Sequence, residues 1–149
     1  VRALEEVVEP AQGLCFSDDG AWLGVAWGMG LARPRGVVAV RVADGEARPY
    51  AWPSATPRGA VFLAGTHRLA VGATDGVIRA ADLDLTTSGF ELLVAEPGEA
   101  LIRQAHPHAL LALAARGRRL ASASWEHERA QGRSVGTLGD VRVWDLDHP

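Results

Sequence analysis

Three stretches of this chain lie over one another without a gap: Leu14 to Leu23 (LCFSDDGAWL), Ala60 to Leu69 (AVFLAGTHRL) and Leu111 to Leu120 (LALAARGRRL). A fixed internal period of this kind governs how every local segment is read, because each copy must then adopt the same supersecondary unit. In each copy apolar residues stand two apart, at Leu14 and Phe16, Ala60 and Phe62, and Leu111 and Leu113. A turn containing Gly follows, and a Leu then opens a second apolar run. Alternation interrupted by Asp-Gly or Arg-Gly is the pattern of a β-hairpin. The second runs are made of small residues, Gly24-Val25-Ala26, Ala70-Val71-Gly72 and Ala121-Ser122-Ala123, which would let a neighbouring sheet approach closely. A helix over Ala109 to Leu120 is the competing reading of the third copy, since Leu and Ala have good helix propensity. The register shared with two β-favouring copies argues for a strand instead.

A third element repeats after each hairpin in the form apolar, Arg, apolar, any residue, Asp. It occurs as Val40-Arg41-Val42-Ala43-Asp44, Ile78-Arg79-Ala80-Ala81-Asp82 and Val141-Arg142-Val143-Trp144-Asp145. Fourth strands are expected at Glu46 to Tyr50 and Phe90 to Val94, each followed by a loop bearing Pro or Gly. Leu4 to Val8 stands where the fourth strand of a preceding unit would lie. The chain therefore divides into an outer strand over 1–10, units over 11–52 and 53–98, and a unit over 99–149 that lacks its last strand. Beginning and ending inside a unit, and lacking an initiator Met, it reads as a segment of a longer polypeptide.

Composition narrows the function classes. With 48% hydrophobic residues and a formal net charge of −3 over 149 residues, the chain has the makeup of a globular domain and can bury a core. All fifteen basic residues are Arg and there is neither Lys nor Asn, the bias of a GC-rich, bacterial coding sequence. A near-neutral balance offers no basic stripe for phosphate neutralisation, so nucleic acid is not an expected partner. The acidic start around Glu5, Glu6 and Glu9 is not a signal peptide, and no apolar segment is long enough to span a bilayer. No membrane partner is expected, and a cytoplasmic location is. A lone cysteine, Cys15, allows neither an intrachain disulfide nor a Cys-based zinc site and is expected in the core.

Units of this length and strand order, ending in Val141-Arg142-Val143-Trp144-Asp145-Leu146, resemble the WD40 repeat. The resemblance implies an all-β fold of antiparallel four-stranded blades in an incomplete β-propeller ring of about three blades. Asp44, Asp75, Asp82, Trp144 and Asp145 are then the structural repeat residues, although Trp is replaced by Ala81 in the second copy and by Ala43 in the first. The family's buried network links the Trp to a Ser or Thr of the second strand, a turn Asp and a His preceding the first strand. Trp144, Ser122 or Ser124, and His106 match those places. Leu138 stands where the second unit has Asp75, so the network is expected to be partial. Because a propeller closes with roughly four to eight blades, about three leave apolar faces and strand edges open. The remaining blades are expected from the parent polypeptide, with closure between copies of the chain as the lesser alternative.

The same resemblance places the connections between the second and third strands, and between one unit and the next, at one face of the ring. Two of these are long, Gly28 to Gly36 and Trp125 to Gly139. Met29, Arg33, Arg35, Trp52, Trp125, Glu126, His127 and Arg129 are the candidate partner-binding residues, since Trp and Arg are enriched at binding hot spots. His106 and His108 with His127 and the neighbouring Glu residues lack metal-ligand spacing, and surface or connection histidines are the simpler reading. Asp18, Asp19, Asp82 and Asp84 stand at turns or strand ends suited to capping backbone N–H groups. No Ser lies in a nucleophile elbow, no phosphate loop is present, and Gly28-Met29-Gly30 reads as a turn. The sequence thus points to no catalytic, cofactor or metal site. It reads as a non-catalytic protein–protein interaction scaffold within a larger protein, the alternative being a sensor or regulatory propeller of a multidomain kinase or NTPase.

Overall fold

The computed structural model describes residues 10–28, 36–51, 55–84, 91–94, 105–130, 133–137 and 139–146, with the backbone alone for 51, 91–94, 126–130 and 133–137. The described strands are β1 (Ala11–Phe16), β2 (Trp22–Trp27), β3 (Gly36–Arg41), β4 (Ala47–Ala51), β5 (Pro57–Phe62), β6 (Arg68–Ala73), β7 (Ile78–Asp82), β8 (Glu91–Val94), β9 (Ala109–Arg116), β10 (Arg119–Ala130), β11 (Arg133–Thr137) and β12 (Val141–Asp145). They form three antiparallel sheets. The first runs β1-β2-β3-β4 and the second β5-β6-β7-β8; in the third, β10 pairs with β9, β12 and β11. Ala109–Arg116 is a strand, so helix propensity yields to hydrogen bonding with β10. The expected strand at Leu4 to Val8 lies outside the described residues.

Register makes the three sheets equivalent. Leu23 pairs with Phe16 and Val40, Leu69 with Phe62 and Ala81, and Leu120 with Ala115 and Trp144. A bulge also recurs in each first strand, leaving Gln12, Arg58 and Leu111 without a paired residue opposite. Two bulge residues from adjacent sheets meet, Arg58 Nη1 donating to Gln12 Oε1 at 3.1 Å.

This register corrects the gapless alignment in two places. The third hairpin turns on two residues, Gly117 and Arg118, where the others use five, so Leu113 rather than Leu111 is equivalent to Leu14 and Ala60. Gly117 supports the tight turn with a φ of 57°. A slip of two keeps every side chain on its face, so alternation could not reveal it. In the first unit, β3 ends at Arg41 and Val42 to Asp44 form a turn. Val40 therefore occupies the Trp144 position, and Arg41, not Asp44, matches Asp82 and Asp145. The continuous apolar run Val37 to Val40 carries no period-two signal to set its register.

Sheet packing follows from small residues at close approaches. A Cβ on Gly13 would stand 2.8 Å from Ala60 N, and one on Gly59 3.2 Å from Leu113 N, so the first strands of successive sheets touch through backbone. Leu69 fills the space above Gly24, and Leu110 and Leu113 lie over Gly72. Between the first two sheets, Trp22, Ala26, Val37, Ala39 and Tyr50 meet Phe62, Leu69, Val71 and Ala81. Between the second and third, Ala70, Ile78 and Ala80 meet Leu110, Leu120, Leu113 and Trp144. Each fully buried Leu, Ile or Val stabilises the stack by about 1.5–3 kcal/mol.

Candidate functional site

The most connected polar group of the fold sits where the connection before β9 crosses under β10 and β12. His106 is 0% exposed and Ser122 1%. Trp144 Nε1 donates to Ser122 Oγ at 2.8 Å, Ser122 Oγ lies 2.6 Å from His106 Nε2, and His106 Nδ1 bonds Asp140 Oδ1. Ser124 Oγ donates to the same carboxylate at 2.5 Å, and Arg142 Nε donates to its other oxygen at 2.8 Å while Arg142 Nη1 donates to Ala105 O at 2.7 Å. The turn carboxylate thus comes from Asp140, directly before β12, and the network expected to be partial is complete. His106 is correspondingly a buried core residue rather than a surface one. The hydrogen bond from Ser124, then those from Arg142 and His106, hold the Asp140 carboxyl at a pKa of about 2.

Ser122, His106 and Asp140 have the order of contacts of an acyl-transfer triad, but not its access. A nucleophilic hydroxyl must reach substrate, and this one is buried and spends a lone pair on the indole N–H of Trp144. An indole N–H can only donate, so Ser122 accepts it and turns its own proton to His106 Nε2, which orients Nδ1–H toward Asp140. Every polar atom of the chain of bonds is used internally, which is the pattern of a structural tie between strands. The equivalents of Ser122 and Trp144 in the second sheet are Val71 and Ala81, and in the first Val25 and Val40. There the same volume is filled by apolar contact.

A second cluster joins the first two sheets. His67, in the turn between β5 and β6, places Nε2 2.9 Å from Asp19 Oδ2 and Nδ1 2.9 Å from Asp84 Oδ1. Asp18 Oδ2 accepts from Gly65 N at 2.8 Å across the same boundary. Asp18, Asp19, Gly65, Thr66, His67 and Asp84 line a cleft of about 230 Å³. The hydrogen bonds that His67 donates to Asp19 and Asp84 raise its pKa, and those from Ser17, Ala21 and His67 hold Asp19 far below its ordinary value. An imidazole facing carboxylates at both nitrogens favours its doubly protonated form and has no lone pair with which to act as a base. Its edge also meets the Trp22 ring, at 6.5 Å between centroids, and Arg48 covers that ring at 4.8 Å. Sequence reading had assigned the aspartates to capping, which Asp19 and Asp82 do perform on Ala21 N and Asp84 N. It missed His67 because the partners lie 48 and 17 residues away.

No family model matches the sequence, and no curated protein matches it. Solved structures do. "Structure of U3-55K" superposes with a TM-score of 0.63 at 16% identity, over 91% of this chain and 34% of that one. "Crystal structure of RRP9 WD40 repeats" gives 0.58 at 16% identity over 77% and 31%, and "Crystal Structure of Mitotic Checkpoint Complex" 0.59 at 20% over 94% and 40%. The likeness is one of fold. The three sheets resemble an incomplete WD40-type propeller, and the chain spans about a third of the length of the solved chains it matches.

Of the candidate binding residues, Trp125, Glu126, His127 and Arg129 stand on β10 of this WD40-like frame. Met29, Arg33, Arg35 and Trp52 lie outside the described residues. Trp125 is 41% exposed in the middle of β10. The segment from Trp125 to Gly139, expected as a loop, is instead largely a β-hairpin: Glu126, His127 and Arg129 pair through the backbone with Thr137, Gly136 and Ser134 of β11. Of the structural repeat residues, Asp75 accepts from Val77 N at 3.1 Å and from Arg79 Nη2 at 3.0 Å, and Asp44 pairs with Arg41 within its own turn. Among the described residues no group of three His, Cys, Asp or Glu side chains could hold a metal ion, and no helix is long and apolar enough to cross a membrane. Burial in the first interface raises the Cys15 thiol to a pKa of about 11, which leaves it a poor nucleophile.

Proposed function

We propose that this chain is a propeller segment acting as a non-catalytic protein–protein interaction scaffold, with the β10–β11 hairpin as its recognition element. The observation that carries this reading is the length of β10. Its pairing with β12 ends at Ala123 and with β9 at Trp125, and five further residues continue outward paired to β11. A hairpin whose backbone bonds are already made loses little conformational freedom on binding. Trp125, at its base, is a residue type enriched where binding energy concentrates. By strand order, the ends of β2 and β4 from which 29–35 and 52–54 depart lie at the same edge, so Met29, Arg33, Arg35 and Trp52 belong to the proposed surface.

Ser124 N donates to Asp140 O at 2.9 Å, so the two ends of the excursion are joined and the hairpin can be replaced by a short turn. Peptides selected from a displayed library on the wild-type chain are expected to bind the variant with 126–138 replaced by a Gly-Ser turn, and the Trp125→Ala variant, at least tenfold more weakly. Peptides that bind all three proteins equally overturn the reading.

A further inference from the structure

His67 has a carboxylate at each ring nitrogen, Asp19 Oδ2 at Nε2 and Asp84 Oδ1 at Nδ1, both at 2.9 Å. The two carboxylates are held very differently. Asp19, in the turn between β1 and β2, accepts from Ser17 Oγ at 2.6 Å and from Ala21 N at 3.0 Å through its other oxygen, so its own turn fixes it independently of the ring. Asp84, just beyond β7, has a side chain that is 68% exposed, and among the described residues its carboxylate has His67 as its one hydrogen-bonding partner. The backbone around them is tied without help from the ring protons. Leu83 N donates to His67 O at 3.1 Å, Arg48 Nη1 of β4 donates to Leu83 O at 2.7 Å, and Gly65 N donates to Asp18 Oδ2 at 2.8 Å. The other charged groups near the ring are Asp18 beside Asp19, Asp82, which accepts from Asp84 N at 3.0 Å, and Arg68, next in the chain. Arg48, bonded to Glu46 at 3.3 Å, covers the Trp22 ring that His67 meets with its edge.

A neutral imidazole keeps one N–H and presents a lone pair at its other nitrogen. A lone pair repels a carboxylate at hydrogen-bond distance, so only one of the two contacts survives loss of a proton. Asp19 is fixed in place, whereas Asp84 is free to swing into solvent. We propose that His67 is a proton-operated latch: doubly protonated, it clamps Asp84 and the start of the connection to β8 against the turns of the first two sheets; singly protonated, it keeps Nε2–H on Asp19 and releases Asp84. Release widens the cleft of about 230 Å³ on the side that Asp84 lines, while Asp18, Arg48 and Asp19 keep the sheets joined. The hydrogen bonds to both carboxylates raise the His67 pKa from its ordinary 6.5, which sets release above that pH. The latch lies in the turns of the first two sheets, so it is independent of the recognition role proposed for the β10–β11 hairpin.

Nitrogen-15 resonances of the His67 ring, with nuclear Overhauser contacts from the ring to the side chains of residues 19 and 84, test this between about pH 5 and about pH 10. Below the ring's pKa, two protonated nitrogens and contacts to both aspartates are expected. Above it, the ring is expected in its Nε2–H form, with the contact to Asp19 kept, the contact to Asp84 lost, and the Gly65 amide as protected from exchange as before. Asp84→Asn, at an exposed site, is the decisive variant. Its amide can donate to the bare nitrogen, so the contact to residue 84 is expected to persist on both sides of the titration. An Nδ1–H form at high pH, an Asp84 contact indifferent to pH, a Gly65 amide that loses protection along with that contact, or an Asp84→Asn variant that lets go as the wild type does would each overturn the proposal.

Discussion

Ser122 Oγ accepts the indole proton of Trp144 at 2.8 Å while lying 2.6 Å from His106 Nε2, so a single buried hydroxyl ties β10 to β12 and to the connection preceding β9. Removing it strands two polar groups at once. Ser122→Ala is expected to destabilise by about 1–3 kcal/mol, and Trp144→Phe, which deletes the donor together with the five-membered ring that packs on the inter-sheet core, by at least ~1 kcal/mol. Urea denaturation of both variants and of the double variant checks this, with the double expected to cost less than the sum because the two share one bond. Equal additivity would mean that the hydroxyl and the indole act independently.

Acid should loosen the same corner through Asp140. Its carboxyl is held at about 2 in the fold, below the ordinary 3.8, so the fold prefers the ionised form. Stability from this group is therefore complete above about pH 4 and is lost as pH falls toward 2. Comparing Asp140→Asn with wild type from pH 6 down to pH 2 is expected to show a gap in melting temperature that narrows across that window. A gap that stays constant would remove the carboxylate from the explanation.

His67 behaves in the opposite sense. Its pKa is raised by Asp19 and Asp84, so the folded chain prefers the protonated ring. The stabilisation is full below the ordinary histidine value near 6.5 and fades as pH rises through the higher folded value. The melting temperature of wild type relative to His67→Gln is expected to fall between neutral and mildly alkaline pH, and to fall less in high salt, since the cluster is solvent-facing. Nuclear magnetic resonance titration of the His67 ring reads the shift directly, and a value at or below 6.5 would refute it.

Phe16 and Phe62 occupy equivalent register positions but differ in cover, 63% against 4% exposed. Phe62→Ala is expected to cost about 3–5 kcal/mol by opening a cavity between the first two sheets. In the single chain, measured under dilute conditions, Phe16→Ala should change stability by less than about 0.5 kcal/mol. Denaturant midpoints at low protein concentration decide between these values, and similar losses for both would show that Phe16 is covered in solution.

Period-two alternation, Gly-bearing turns and small-residue runs were enough to indicate three hairpins, a third strand after each, and sheets packed closely over Gly24 and Gly72. These are local signals: alternation needs only neighbours along the chain, and a close approach leaves its mark as a missing side chain. Trp144, Ser122 or Ser124, and His106 were also recognisable, but only through the resemblance to the WD40 repeat. Register was not. A slip of two residues in the third hairpin leaves the same faces inward, and the uninterrupted apolar run Val37 to Val40 reads alike in every frame. Asp140 was overlooked for the same reason, since its place in the network follows from how β12 pairs with β10 and not from its spacing to Val141. The His67 cluster was beyond sequence reading altogether, because electrostatic partners 48 residues apart meet only once two sheets have stacked. Local chemistry thus determined which segments become strands, whereas pairing across sheets, which depends on distances the linear chain does not encode, decided which polar groups meet and which faces remain open.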